Sequence, residues 1–279
     1  MTPANHLATP TMRLAPRQKY LALTLTAFQR AITYRGTTFL NIISQLIWVA
    51  VLYYLWQTVF AARAEIAGYS WQEMRTYIVI SYAIGTLISF YSMARMTSGV
   101  RTGEIATDLI RPVDYLGMQL AQTFGAALIE GLLSGAIAVV LGVFLIQITL
   151  PYSLVAMLLF LASVWLGFLI KFLISFLVAL LCFRTLNAVG LIWAQTAVIQ
   201  LLSGALVPLQ FFPDWLRTLA LATPFGGIVY TPLTIYLGKV QGSAAWQALA
   251  VQALWALALW GLARLLWAPS VRALDIQGG

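Results

Sequence analysis

An all-α integral membrane protein with six transmembrane helices is the fold class this sequence predicts, and three observations predict it. Only 9% of the 279 residues are charged and 61% are hydrophobic, where a soluble domain carries about 25% charged residues. The apolar residues are gathered into long runs: Thr38 to Phe60, Thr76 to Ala94, Leu116 to Leu150 broken only by Glu130, Pro151 to Leu181 broken only by Lys171, Thr185 to Phe212, and Val240 to Ala263. Hydrocarbon about 30 Å thick needs roughly 20 apolar residues per helix, and these runs reach or approach that length. Barrel strands of about 10 residues would alternate. These runs do not alternate, and backbone inside lipid must bond to itself, so they are expected to be helices.

Taken in order, residues 1–15 read as a disordered cytoplasmic tail. The sole histidine, His6, lies there with no cysteine or acid cluster around it, so no metal site is expected. The first 35 residues lack the short apolar core of a cleaved signal peptide. Pro16 to Arg35 reads as an amphipathic helix, with Leu21, Leu25, Phe28 and Ile32 on one face and Lys19, Gln29, Arg30 and Thr33 elsewhere. Such a segment lies in the headgroup region, either as an "elbow" that positions the first span or as a basic anchor. Residues 16–279 then form one transmembrane domain, with spans near 38–60, 76–94, 116–147, 151–181, 185–208 and 241–264. Tyr53, Tyr54, Trp56 and Phe60 end the first span as an interfacial belt or as a surface on which an aromatic or cationic substrate stacks. Ala127, Gly131, Gly135, Ala138 and Gly142 form a small-residue stripe suited to close helix packing.

Thr218 to Gly238 is also charge-free, but Pro224, Gly226, Gly227, Pro232 and Gly238 interrupt it. It is expected to fold as two short helices that dip in and return. With six spans and both termini inside, twelve Lys and Arg fall on the inner side and four (Arg63, Arg75, Arg217, Lys239) on the outer side, as cytoplasmic loops require. The basic residues flank spans rather than forming a stripe, so nucleic acid is not an expected partner. Cys182 stands alone, which excludes an internal disulfide framework.

The loop between the second and third spans, GVRTGEIATDLIRPVDYL, carries Arg101, Glu104, Asp108 and Arg111 at spacings of three, four and three. Ile105, Leu109 and Ile110 are expected opposite them, and Pro112 ends the helix. The charged stripe suits docking to a partner, or is a solvated face with its own i,i+3 and i,i+4 pairs. Glu130 and Lys171 are the two charges at membrane depth, about 18 Å and 15 Å up at 1.5 Å per residue if their spans start near Met118 and Leu181. Charges at such depth are costly. They read as a structural pair, as a lysine reaching toward the interface, or as a Glu130 that faces a substrate path. The sequence has no G-x-x-x-x-G-K-[ST] phosphate loop, since Gly238-Lys239 is followed by Val240. Nor does it hold a Ser–His–Asp set within the spans.

The order of parts resembles an ATP-binding-cassette type-2 (ABC-2) permease of a bacterial drug or natural-product exporter branch, type V exporter-like. The resemblance rests on Gly103, Glu104, Ile105, Leu109, Arg111, Pro112, Val113, Tyr115 and Leu116 in the loop. It also rests on Phe211-Phe212-Pro213-Asp214-Trp215-Leu216 with Thr223-Pro224-Phe225, similar to that family's extracellular re-entrant element, and on the terminal Ile276-Gln277-Gly278-Gly279. It implies an exporter half in the bacterial inner membrane, not itself an enzyme. Two permease chains, identical or related, would work with two copies of an ATPase subunit that binds ATP and Mg. Export of a hydrophobic or cationic small molecule follows, with a lipid or glycan cargo as the alternative. Arg101, Gly103, Glu104, Ile105, Asp108, Leu109, Arg111 and Pro112 would be the coupling helix. A path between two chains would be lined by the first, second and fifth spans, and polar or aromatic groups at span depth (Asn41, Gln45, Tyr82, Glu130, Trp193, Gln195, Gln200) are candidates for its wall. A lipid-modifying enzyme holding a metal on Glu104 and Asp108 is a rival, though two acids make a poor site.

Overall fold

The computed structural model of the chain describes residues 16–33, 35–87, 104–182 and 188–272. Within them it is helical apart from one two-stranded hairpin. α1 (Pro16–Thr33) leads to α2 (Arg35–Phe60). β1 (Glu65–Ile66) then pairs antiparallel with β2 (Tyr69–Ser70), Glu65 opposite Ser70. The hairpin turns through Ala67 and Gly68, at φ of 49° and 80°, the paired positive values that match the strands' right-handed twist.

α3 (Trp71–Gly85) starts in a capping box. The Glu73 amide donates to Ser70 Oγ at 3.2 Å, and the Ser70 amide donates to Glu73 Oε2 at 2.8 Å, so two orphan donors are satisfied reciprocally. This places the helix start at Trp71, ahead of the expected Thr76. α4 (Glu104–Ile110) is the short loop helix. α5 (Tyr115–Val140) follows and continues as a π-helix, Leu141–Ile146, until Gln147 takes a left-handed φ of 55°. α6 (Leu154–Cys182) and α7 (Ala188–Leu202) complete the middle of the chain.

The apolar run from Thr185 to Phe212 is not one helix. It ends at Leu202, because Gly204 adopts a φ of 79° and Pro208 precedes a short 3-10 turn, Leu209–Phe211. The Gly- and Pro-interrupted stretch behind it is divided into α8 (Asp214–Ala222), a 3-10 turn at Pro224–Gly227, and α9 (Tyr230–Tyr236). α10 (Gly242–Arg272) runs past the expected end near 264. Among the described residues, Tyr115–Ala138, Leu154–Cys182 and Gly242–Arg272 are long and apolar enough to cross a membrane, and the apolar stretches Leu46–Phe60 and Val189–Leu202 are shorter.

α6 is the central post, and it packs against α9, α10 and the turn before α9. A Cβ on Gly167 would lie 2.9 Å from the Ile228 carbonyl oxygen, so only glycine admits that close approach. Gln252 of α10, almost fully buried, ties the three together. Its Nε2 donates to Gly227 O at 2.6 Å and Ser163 O at 3.1 Å, and its Oε1 accepts from Ser163 Oγ at 2.8 Å. Both N–H donors and the oxygen of this buried amide are thereby engaged, as burial demands.

α1 lies along α5. A Cβ on Gly125 would sit 2.3 Å from the Thr24 carbonyl oxygen, and one on Gly117 would sit 3.1 Å from the Tyr20 ring. Thr24 Oγ1 donates to Ala121 O at 3.2 Å. The face of α1 that meets α5 is therefore Tyr20, Thr24 and Ala27, not the apolar stripe, whose Leu21 and Leu25 are exposed. The expected small-residue stripe of α5 is only partly in contact. A Cβ at Gly131 would meet Leu87 at 2.7 Å, whereas Gly135 has open space.

The long helices set two opposite ends about 39 Å apart, from the 26 residues of α5 at 1.5 Å each. The hairpin, the start of α3 and the start of α10 meet at one end. The α4 helix, the start of α5 and the last turns of α10 meet at the other.

Candidate functional site

At the α4 end, Ile105 is buried at 3% exposure and anchors the short helix to the core. Asp108 and Arg111 pair at 3.5 Å across one turn, the i,i+3 contact their spacing predicts. Leu109 and Ile110, expected opposite the charges, are not packed into the core. Leu109 is 41% and Ile110 84% exposed, and among the described side chains of this helix only Ile105 is buried. The surface presented is thus mixed, an ion pair beside two bare aliphatic side chains. Arg101 and Gly103 lie outside the described residues, as does the side chain of Glu104.

Behind α4 the chain is held by three neighbours. Lys19 Nζ of α1 donates to Pro112 O at 3.4 Å. Asp114 caps α5 by accepting from the Gly117 amide at 2.8 Å. The same carboxylate takes both terminal nitrogens of Arg264 on α10, Nη1 to Oδ1 and Nη2 to Oδ2, the latter at 3.0 Å. Tyr115 stacks on Trp267 of α10, with centroids 4.4 Å apart and planes at 12°.

In the middle of the molecule, Lys171 Nζ donates to Gly85 O at 2.8 Å. A cation there completes a C-terminal carbonyl of α3 and suits the helix dipole. The side chain of Glu130, the expected partner, lies outside the described residues, as do those of Asn41 and Gln45. The other candidates for the path separate into two groups. Trp193, at 61% exposure, and Gln200, seven residues on, share the outward face of α7. Gln195 is instead turned inward, with Nε2 donating to Ser175 Oγ at 2.8 Å while its Oε1 is buried without a hydrogen-bond partner. Tyr82 is buried on α3 with its hydroxyl similarly unpaired. In a single subunit, Gln195 and Tyr82 are thus interior residues and not part of an open face.

At the hairpin end, Lys239 forms an ion pair with Glu73, donates to Gly68 O at 2.8 Å, and lies 5.1 Å from the Tyr69 ring centroid. Burial alone would raise the Glu73 carboxyl. The Lys239 hydrogen bond and charge, with the Ser70 bonds, outweigh it and hold the carboxyl below its ordinary value. Tyr69 donates to Gln210 Oε1 at 3.2 Å, and Gln210 Nε2 bonds to the Tyr230 hydroxyl. Burial pushes the Tyr69 hydroxyl well up, helped by Tyr230 and by the Glu73 charge. Phe211, from the expected re-entrant element, packs on Trp56 and Tyr69 with centroids 5.1 and 5.9 Å apart. Phe212 and Pro213 lead to α8, where Asp214 pairs with Arg217 at 3.3 Å and Trp215 is exposed. Pro224 opens the 3-10 turn before α9. The aromatics at the end of α2 therefore form a cluster within the subunit, with Trp56 and Phe60 buried and Tyr54 exposed.

Sequence reasoning passed over Asp114, Gln252 and Glu73, and counted Arg264 and Lys239 only as basic residues flanking spans. Asp114, directly ahead of an apolar helix, and Glu73, three residues after Ser70 ahead of an apolar run, carried a local signal.

These features define a class: a helical membrane protein that displays a short mixed helix at one end and a closed polar and aromatic cluster at the other. A family model described as ABC-2 family transporter protein matches residues 46–278, and the chain belongs to that family. It is a membrane-embedded permease component of an ABC transporter, and membership implies association with an ABC ATPase. Members are generally transport components without a catalytic site of their own. No curated protein matches the chain.

Proposed function

We propose that this chain is the permease subunit of an ABC exporter that moves a hydrophobic or cationic small molecule out of the cytoplasm or inner leaflet of a bacterial inner membrane. ATP and Mg are bound by two copies of a separate ATPase, and a second permease chain completes the path. The α4 end faces the cytoplasm and the hairpin end the exterior, in keeping with the distribution of basic residues. The observation that carries the reading is the α4 surface. Two bare aliphatic residues beside the Asp108–Arg111 pair are costly to leave in water and suit a groove on a partner. The outward face of α7, with Trp193 and Gln200, supports a role for the fifth span in the path, and the Glu130–Lys171 level supports a polar site at depth. ATP-driven closure of the ATPases would shift α4 and bias two packings of the helices.

The test is co-expression with a candidate ATPase from the same genome. Ile110→Asn, and separately Glu104→Lys with Asp108→Lys, should leave membrane abundance unchanged, because Ile110 is exposed and Asp108 lies at the surface. Each should abolish co-purification of the ATPase or lower ATP hydrolysis in the complex at least tenfold. Full assembly and full hydrolysis in both variants would reduce α4 to a solvated connector.

A further inference from the structure

We infer that Asp114 and Arg264 form a transmission joint that carries a displacement of α4 into the last helix, α10, as well as into α5. The inference rests on the reading of α4 as the coupling helix.

Three residues, Arg111 to Val113, separate α4 from Asp114, and the Val113 amide closes back on Arg111 O at 2.8 Å. A push on α4 therefore reaches Asp114 through a tight turn containing a proline, with little slack. Asp114 is the first fixed point of α5, since its carboxylate caps the helix on Gly117 and its carbonyl accepts from Met118 at 2.8 Å. The same carboxylate grips the Arg264 guanidinium at two points. A two-point Arg–carboxylate contact specifies orientation as well as distance. Rotation of the α5 start is thus handed to α10.

Two further contacts make the connection a joint and not a lone tether. The Tyr115–Trp267 stack lies one residue along α5 and three along α10. The Arg264 guanidinium is itself held over the Trp260 ring, 5.3 Å from its centroid. Energetics distinguish transmission from simple stabilisation. The Arg264 and Asp114 side chains are 45% and 34% exposed, so water screens the pair and limits its contribution to stability. The value of this pair is geometric, so its loss should uncouple helices without unfolding them. Arg264 and Asp114 are positioning residues in this scheme.

The complex with the ATPase, reconstituted in nanodiscs, supports the test. In a Cys182→Ala background, spin labels at Thr107→Cys and Arg272→Cys report the α4–α10 distance, and labels at Thr107→Cys and Val189→Cys report α4 against α7. Distances are measured without nucleotide and after trapping with ATP and vanadate. In the otherwise unaltered protein the α4–α7 distance should shift on trapping, while the α4–α10 distance stays one narrow distribution. In Arg264→Gln and in Asp114→Asn, which keeps a capping side chain, the α4–α10 distribution should shift or broaden on trapping. ATPase co-purification and basal hydrolysis should persist, and Arg264→Lys should restore part of the narrow distribution. An unmoving α4–α7 distance in the unaltered protein would count against α4 as the coupling helix. A moving α4–α7 distance with an α4–α10 distribution equally narrow in all variants would overturn the joint. Loss of the ATPase from both Arg264→Gln and Asp114→Asn would also overturn it, by placing the pair in docking.

Discussion

The two ends of the molecule are tied by opposite means. At the hairpin end most described polar groups bond to one another, Trp56 Nε1, Arg75 Nε and Ser203 Oγ being buried exceptions: Tyr77 gives its hydroxyl to Gly204 O at 2.6 Å from full burial, Ser81 donates to Ala205 O at 2.9 Å, and Thr76 and Thr149 bond at 2.9 Å. Tyr236 adds a bond to Thr149 O at 3.0 Å, and Lys239 closes the loop onto Glu73 and Gly68. Among the described residues, the α4 end is tied by half-exposed contacts, and apolar surface remains bare at Leu109 and Ile110. A closed network resists change, because any opening leaves buried polar groups unpaired. An end with open, weakly held contacts can be moved by a partner at small cost. The difference points to a rigid hairpin end and a responsive α4 end.

Three perturbations can break or sharpen that contrast. The largest effect is expected at Gly125, where α1 meets α5 backbone to backbone. Gly125→Leu would drive α1 off α5, and overpacking of this kind costs about 1–3 kcal/mol or more. A clear fall in the thermal midpoint in detergent is expected, whereas an unchanged midpoint would mean that α1 is not held on α5 as described. Next comes Tyr77→Phe, which deletes one fully buried hydroxyl and leaves Gly204 O unpaired. A loss of about 1–3 kcal/mol follows from the desolvation of that carbonyl. The same size of loss from Ile110→Asn would contradict the contrast, since exposed positions usually change stability by less than about 0.5 kcal/mol.

The smallest effect concerns the Glu73–Lys239 pair, worth about 1 kcal/mol or less at its partial exposure. Because the folded-state carboxyl of Glu73 is held below its ordinary value, its contribution is present above the unfolded pKa of about 4.3 and is lost as pH falls through the lower folded value. Thermal stability should therefore drop more steeply on the acid side in the unaltered protein than in Glu73→Gln. A double-mutant cycle with Lys239→Met should show coupling between the two residues, and strict additivity would mean the latch contributes nothing.

Much of this arrangement was legible from local chemistry. Pro112 and the apolar spacing at Ile105 located α4, and Pro224, Gly226 and Gly227 located the broken stretch before α9. Other features were not, because their signal lies in distant parts of the chain. Nothing near Arg264 marks its partner, which lies 150 residues away. Nothing near Gln252 marks it as the cross-link between α6, α10 and the turn before α9. Tyr82 and Gln195 looked like path residues because a polar group in an apolar run is conspicuous. Which way each side chain turns depends on the packing of its helix, and both turn inward. The contact of α1 with α5 uses the face of Thr24 and Ala27 and not that of Leu21 and Leu25, because close backbone approach requires the glycines of α5 rather than large side chains.

Sequence by itself determined that this chain is a helical membrane protein, where its long apolar runs lie, and which short loop helix resembles a coupling element. Length, hydropathy and the positions of glycine and proline are local properties, and lipid leaves backbone few options. Tertiary structure alone decided how the ends are fastened: Asp114 to Arg264, Glu73 to Lys239, Gln252 to Ser163 and Gly227. Each fastening joins groups brought together only when helices pack, and a single polar residue on a helix carries no mark of the partner it will meet.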